Sequence, residues 1–221
     1  NTTAGPNTAV GAYALVANTT GTENTAVGAY ALDAMVTGSQ STGIGYNALS
    51  NATTSQYNTA VGSRCLEQAT TGSGRNTAVG NESMEETTTG YYNVAVGSNS
   101  LESNTTGHTN VAVGINALLN SNGSSNVAVG GFALDANTTA NNNVAIGHYA
   151  LQQNTTGGSN VAVGSFALDA NTTNSFNTAV GYNALTTSDG ANANSAVGYN
   201  ALRLNTTGGN NVAVGYESGY N

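Results

Sequence analysis

Few residues of this chain have side chains suited to catalysis, and those few are scattered. Cys65 is the only cysteine, and His108 and His148 are the only histidines. A catalytic triad needs a nucleophile, a base and an orienting group in one irregular pocket, and nothing in the spacing of these residues favours one. Cys65 also falls at a position that Ala or Ser fills in twelve related segments, so we interpret it as a small packed residue. We predict no enzyme activity and no catalytic residue.

Three aspartates recur at one position of these segments and are the best candidates for holding a cation. They are Asp33, Asp135 and Asp169. Hard cations need several oxygen ligands at once, and only Asp135 and Asp169 are near each other in the series. We therefore expect solvated carboxylates, no metal site and no cofactor.

Sequons of the form N-x-[ST] are frequent and mostly share one position. In a secreted chain they would be glycan sites, but Asn-Thr-Thr is also good turn chemistry, and both interpretations stay open. The candidate glycosylation sites are Asn18, Asn51, Asn104, Asn122, Asn137, Asn154, Asn171 and Asn205, with further sequons at Asn1 and Asn81.

Aromatic residues recur in a variable pair of positions. Variation inside a fixed unit indicates a surface or interface, where rings either stack on sugars or fill a contact between chains. The candidates are Tyr13, Tyr30, Phe132, Tyr149, Phe166, Tyr182 and Tyr199, together with Tyr46 and Tyr216.

All of these positions belong to a repeat. The glycine that closes N-[TV]-A-[VI]-G recurs every 17 residues, with one spacing of 18 and one of 16. These glycines are Gly11, Gly28, Gly45, Gly62, Gly80, Gly97, Gly114, Gly130, Gly147, Gly164, Gly181, Gly198 and Gly215. A fixed period of this length is typical of a solenoid. A disordered polar tract is the alternative for so polar a composition, but disorder does not require a fixed phase.

Within each unit, alternation predicts a short strand before the glycine, with Thr or Val and then Val or Ile on one face and Ala on the other. A second, shorter strand is expected to point a Leu inward. We predict that like residues of successive units stack as a core. Its members are Val10, Leu15, Val27, Leu32, Val61, Leu66, Val113, Leu118, Ile146, Leu151, Val163, Leu168, Val180 and Leu185.

The turn between units is Asn-Thr-Thr-Gly or a variant of it, and no helical period is present. The predicted fold is therefore all-β: a parallel β-solenoid (β-roll or β-helix) of thirteen coils of about 17 residues. We expect residues 1–221 to form a single continuous repeat array, an excerpt of a longer fibrous protein. Because each coil offers little to bury, we also predict that three chains pack through their small Ala and Gly faces.

Charge excludes some partners. Only three basic residues, Arg64, Arg75 and Arg203, stand against eleven acidic ones, so nucleic acid is an unsuitable partner. No apolar run reaches the length of a membrane span, and we expect no membrane contact by this segment.

The run Ala95-Val96-Gly97-Ser98-Asn99-Ser100 and its copy at 145–150 resemble the head repeats of trimeric autotransporter adhesins. The longer form at 177–185, followed by Asn-Thr-Thr-Gly at 205–208, is similar to repeat arrays of phage tail fibres. The resemblance covers essentially the whole chain, although the added turn makes this unit longer than the adhesin repeat. It implies a left-handed β-roll, three associated chains and a role in attachment.

The leading hypothesis is a structural and adhesive extracellular fibre segment on a cell or virion surface, which extends rigidly and attaches to cell-surface glycans or a receptor. One alternative is a self-assembling filament subunit that grows end to end and carries N-glycans. Another is an ice-binding solenoid, although the adjacent threonines of the turn favour it less than a spaced Thr-x-Thr would. In the first two cases the main partner is the chain itself.

Overall fold

The computed structural model describes residues 4–70 and 72–220. It divides into two compact units, unit 1 (Asn1–Asn110) and unit 2 (Val111–Asn221), which are described separately. Within the described residues there are only strands, turns and bends, and no helix. Consequently no described helix is long and apolar enough to span a membrane.

Each coil contributes one strand of three residues. In unit 1 the strands are β1 (Thr8–Val10), β2 (Thr25–Val27), β3 (Thr42–Ile44), β4 (Thr59–Val61), β5 (Thr77–Val79) and β6 (Val94–Val96). In unit 2 they are β7 (Val111–Val113), β8 (Val127–Val129), β9 (Val144–Ile146), β10 (Val161–Val163), β11 (Thr178–Val180), β12 (Ser195–Val197) and β13 (Val212–Val214).

Successive strands within each unit pair in parallel and in register. In the first pair of strands, Thr8 pairs with Thr25, Ala9 with Ala26 and Val10 with Val27. Equivalent residues pair in the same way along the rest of each unit. Register is kept across the 18-residue spacing, where Thr59 pairs with Thr77, so the turn absorbs the extra residue. The predicted parallel β-solenoid with in-phase coils is therefore confirmed in both units.

The expected second strand is absent from the described residues, because the chain turns directly after the glycine. In the second coil Tyr30 has φ of 58° and Leu32 has φ of 53°, and the same two positions are left-handed in the other coils. Such corners are costly for residues with a Cβ. They persist because each coil still bonds to the next, as Leu32 N–H does to the Ala48 carbonyl at 3.0 Å.

The repeat glycine is needed for two reasons. At Gly130 the backbone has φ of 133°, and a Cβ there would lie 2.5 Å from the carbonyl oxygen of Gly147 in the next coil. Only glycine adopts this conformation readily and lets two backbones approach so closely. The invariance of this residue along the chain thus follows from the tight stacking of coils.

The interior consists of Leu and Ala on one side. The predicted leucines Leu15, Leu32, Leu66, Leu118, Leu151, Leu168 and Leu185 are all buried, as are the strand alanines from Ala26 to Ala213. Space here is short, since a Cβ on Gly43, which replaces one strand alanine, would lie 3.1 Å from Leu32 Cγ. A side chain larger than the methyl group of Ala would therefore collide with the leucines.

The placement of the strand valines in this core was wrong. Val10, Val113 and Ile146 are 60%, 36% and 40% exposed, and Val27, Val61, Val163 and Val180 are half-buried on the outward face. Both faces of the strand are apolar, and only the smaller one fits against the leucines. The valines stack in register from coil to coil, but outside.

The other side of the interior is built from asparagine. Buried Asn143 donates from Nδ2 to the Gly157 carbonyl at 2.9 Å, and its Oδ1 accepts the backbone N–H of Asn160 at 2.9 Å. The same arrangement recurs at Asn24 and Asn177. These bonds satisfy backbone groups that would otherwise be buried without partners.

Candidate functional site

The outward strand face of each unit is a regular surface. Its two rows consist of Thr, Val or Ser at the first strand position and Val or Ile at the third, and neither row contains a charged residue. In unit 2 the rows begin at Val111 and Val113 and end at Val212 and Val214. The result is an uncharged, largely aliphatic stripe, half-buried to exposed, which we name the strand stripe.

The small-residue face, expected to form an interface between chains, is used within the chain instead. Ala112, Ala128, Ala145, Ala162 and Ala179 have no exposed surface. The glycine that shares this face is closed off by the next coil, as at Gly130. Three chains therefore cannot pack through their Ala and Gly faces as predicted, because these faces are buried within each chain. The strand stripe remains accessible.

The sequons fall into two groups. Asn18, Asn104, Asn137, Asn154 and Asn171 are buried, and Asn171 Nδ2 donates to Asn154 Oδ1 at 2.8 Å within the interior. Glycosylation requires access to that same nitrogen, so these candidates are incompatible with the folded coil. Asn51, Asn81 and Asn122 are exposed and Asn205 is half-buried, while Asn1 lies outside the described residues.

The aromatic candidates form ladders along the surface. Tyr13 stacks on Tyr30 with ring centroids 5.2 Å apart. In unit 2 one ring per coil runs from Phe132 through Tyr149, Phe166, Tyr182 and Tyr199 to Tyr216, at centroid distances from 5.1 to 6.0 Å. Since most neighbours are stacked face to face, the ring faces inside a ladder are covered, and the edges are what the surface presents.

The residues considered for catalysis lie in different environments. Cys65 is buried, and burial raises the pKa of its thiol to about 12, so the thiol stays protonated. The rings of His108 and Tyr91 are stacked with centroids 4.8 Å apart, and the ring centroids of His148 and Tyr149 are 3.9 Å apart.

The three aspartates are less solvated than expected. Burial raises the pKa of Asp33, Asp135 and Asp169, and the carboxylate of Asp135 raises that of Asp169 further. Between the last two lies Gln152, whose Nε2 donates to Asp135 Oδ2 at 3.4 Å. No cluster of three or more His, Cys, Asp or Glu side chains that would hold a metal ion occurs within residues 4–70 and 72–220.

One surface feature was not predicted from the repeat positions. Tyr57, Arg75 and Tyr92 occupy the same place in three consecutive coils, with the Arg75 guanidinium carbon 4.9 Å from the Tyr57 ring centroid and 5.5 Å from that of Tyr92. The signal was present in the sequence, because Arg75 lies inside the 18-residue spacing between Gly62 and Gly80. We name these three residues the Arg75 platform.

A second arginine in unit 1 has quite different surroundings. Arg64 donates from Nε to Glu67 at 3.0 Å and from Nη1 to Glu82 at 3.1 Å, and its Nη2 pairs with Glu85. Three carboxylates thus occupy its donors in an ion-pair network, so this arginine is not open to a further anion.

Comparison of the chain with models of protein families, with curated proteins and with solved structures found no match.

Proposed function

We propose that this chain is a structural segment of an extracellular attachment fibre in which three copies pack through their strand stripes. The single observation that carries the proposal is the stripe itself: an in-register row of Val and Ile side chains left outside the coil. Attachment, at a cell or virion surface, is the role that the repeats' resemblance to adhesin heads implies.

The continuity of the stripe supports an interface. Seven strands in unit 2, spaced by about 4.8 Å with two outward residues about 7 Å apart, present on the order of 200 Å² of uncharged surface. Contiguous apolar patches of a few hundred Å² on a monomer are often functional. Unit 1 carries the same rows along β1–β6.

The small apolar interior of a single coil also favours association between chains. A coil buries one Leu and two small residues as its apolar interior, for example Leu151 with Ala145 and Ala150. Burying a further Val or Ile contributes about 1.5–3 kcal/mol per side chain when the burial is complete. Association through Ile146 and its equivalents would therefore add a second apolar core shared between chains.

The proposal is tested by native mass spectrometry of the full chain, whose mass is 21.9 kDa. We expect a three-chain mass for the wild type and a one-chain mass for Ile146→Glu, which places a charge in the middle of the stripe. Gln153→Glu adds the same charge at an exposed position outside the stripe and should remain trimeric.

Two results would refute the trimer. A wild-type chain that stays monomeric at high micromolar concentration removes the interface, and a trimer that survives Ile146→Glu places the interface elsewhere. Rods of indefinite length in negative-stain images would favour the filament alternative, in which open sheet edges add further subunits.

A second candidate function rests on unit 1, where the first row of the stripe is threonine. Thr8, Thr25, Thr42, Thr59 and Thr77 stack in register beside a row of Val and Ile. This spaced Thr-x-Val array is a better candidate for an ice-binding face than the adjacent turn threonines. Several turn hydroxyls are already used, as Thr88 Oγ1 donates to the Thr105 carbonyl at 3.0 Å. Absence of thermal hysteresis would dismiss this candidate.

A further inference from the structure

The Arg75 platform has the properties of a ligand-binding site, and we propose that it binds saccharide units that carry a carboxylate, such as hexuronic acid residues. The proposal goes beyond the fibre role. It does not rest on self-association, because all of the groups involved belong to one chain and to unit 1.

The platform is held in place by the backbone. The turns of three consecutive coils are joined by parallel bridges, from Gln56 to Gly74 and from Gly74 to Tyr91. The residue after each of these positions is Tyr57, Arg75 or Tyr92, so the three side chains form a column with one member per coil. The longer turn of the middle coil places a cation in this column, between the two rings.

Arg75 is the cation best placed to meet an external anion. Arg64 is already paired with glutamates, and Arg203 donates from Nη1 to the Tyr220 hydroxyl at 2.9 Å. Arg75 is exposed and, among the described residues, has no carboxylate within 4.0 Å. Rings on both sides flank the guanidinium, which stays exposed, and a planar guanidinium can bind a carboxylate through two parallel N–H donors.

The rings supply the apolar part of a sugar site. Tyr57 and Tyr92 are 45% and 50% exposed, and Tyr91 beside them is 40% exposed. Aromatic rings that are partly wet and carry a hydroxyl combine apolar contact with hydrogen bonding, as a sugar ring requires.

A groove next to the platform supplies polar partners. It has a volume of about 400 Å³ and is lined by Thr54, Gln56, Tyr57, Gly72 and Arg75, among others. Hydroxyl and amide side chains of this kind match the hydroxyls of a saccharide. A volume of this size accommodates a small-molecule ligand.

The acidic balance of the chain does not oppose an anionic ligand at this place. The formal charge is −8, but exposed charges are largely screened beyond about 8 Å at physiological ionic strength. The acidic residue that shares the platform's column is Glu23, which lies three coils before Arg75 and is itself bonded to Gln40.

The experiment is a saturation-transfer NMR titration of the full chain with digalacturonic acid, with its neutral digalactose analogue and with acetate. We expect saturable binding of digalacturonate that is at least about tenfold tighter than binding of either control, because both the charge and the sugar ring contribute. Arg75→Gln should weaken it by about tenfold or more.

Two further variants make the result decisive. Arg75→Lys keeps the charge but lacks the planar fork, so it should recover only part of the affinity. Arg203→Gln removes the other ring-contacting arginine, over Tyr220 at 5.8 Å, and should leave binding unchanged. Equal affinity for acetate and digalacturonate would overturn the saccharide assignment, and so would undiminished binding by Arg75→Gln or an equal loss in Arg203→Gln.

Discussion

The side-chain oxygen of Asn143 accepts the backbone N–H of Asn160, 2.9 Å away in the next coil. Asn126 makes the same bond to Asn143 one coil earlier. Side-chain amides therefore continue the backbone ladder beside each strand, inside the coil, at a point where the chain turns and has no strand partner. The interior of this solenoid is held together by polar groups as well as by leucine.

Removing one of these amides should be costly. Asn143→Ala leaves the buried N–H of Asn160 without its acceptor, and we expect a loss of about 1–3 kcal/mol in the free energy of unfolding. Chemical denaturation monitored by circular dichroism measures it. Gln153→Ala, at an exposed position, is the matched control and should change stability by less than about 0.5 kcal/mol. Equal effects of the two variants would contradict an interior role for the amide.

Two neighbouring glycines should respond very differently to alanine. Gly130→Ala combines a φ of 133° with a Cβ 2.5 Å from the Gly147 carbonyl oxygen, and we expect a loss of more than about 3 kcal/mol. At Gly131 the new Cβ would lie 3.3 Å from Ile115 Cγ2, a side-chain atom that can move. Gly131→Ala should therefore be close to neutral in thermal unfolding. A tolerant Gly130 would mean that the coils do not stack this tightly.

Glycosylation should follow burial rather than the sequon pattern. In material secreted from a eukaryotic host, we expect any N-glycans of the folded fraction at exposed Asn51, Asn81 or Asn122, and none at Asn154. Peptide mapping by mass spectrometry, with and without enzymatic glycan removal, reports the occupancy of each site. A glycopeptide containing Asn154, recovered from folded protein, would show that this side chain can leave the interior.

The half-buried aspartates should make stability depend on pH in acid. Burial and then the charge of Asp135 raise the pKa of Asp169 above its ordinary value of 3.8, so the ionised carboxylate destabilises the folded state. This penalty is absent below pH 3.8 and present in full once the pH exceeds the folded-state pKa.

Asp169→Asn should therefore raise Tm at about pH 7 and leave it nearly unchanged at about pH 3, as measured by thermal unfolding. Asp189 is the control, because it is exposed and accepts a bond from Thr172 Oγ1 at 2.7 Å. Asp189→Asn should not stabilise the protein. A gain in Tm for Asp169→Asn that persists undiminished in acid would show that its cause is not ionisation.

For much of the candidate surface, the sequence predicted which residues lie there but not which side chains contact one another. The recurrence of Tyr and Phe after the glycine predicted a surface row, yet only the coil-to-coil distance shows that rings such as Tyr182 and Tyr199 cover each other's faces. In the sequence, Arg75 is one of three scattered basic residues and has no evident partner. Its meaning depends on Tyr57 and Tyr92, which lie 18 and 17 residues away in the chain and become neighbours only when coils stack.

The repeat in the sequence is enough to predict the period and the parallel register, because in-phase stacking of like residues follows directly from it. The reason for a glycine in each coil appears only when the coils stack, as at Gly130. The sequence did not determine which strand face is inside. Ala26 and Val27 both belong to apolar rows, and an alternation of two apolar residues has no preferred direction. Which face is inside depends on the space available in the folded coil. The leucines and the spacing between coils leave room for a methyl group only, so Val lies on the outside. The tertiary structure also places Asn154 inside, although the sequence predicts an exposed turn there, because its Nδ2 donates within the interior to the Gly157 carbonyl at 3.0 Å.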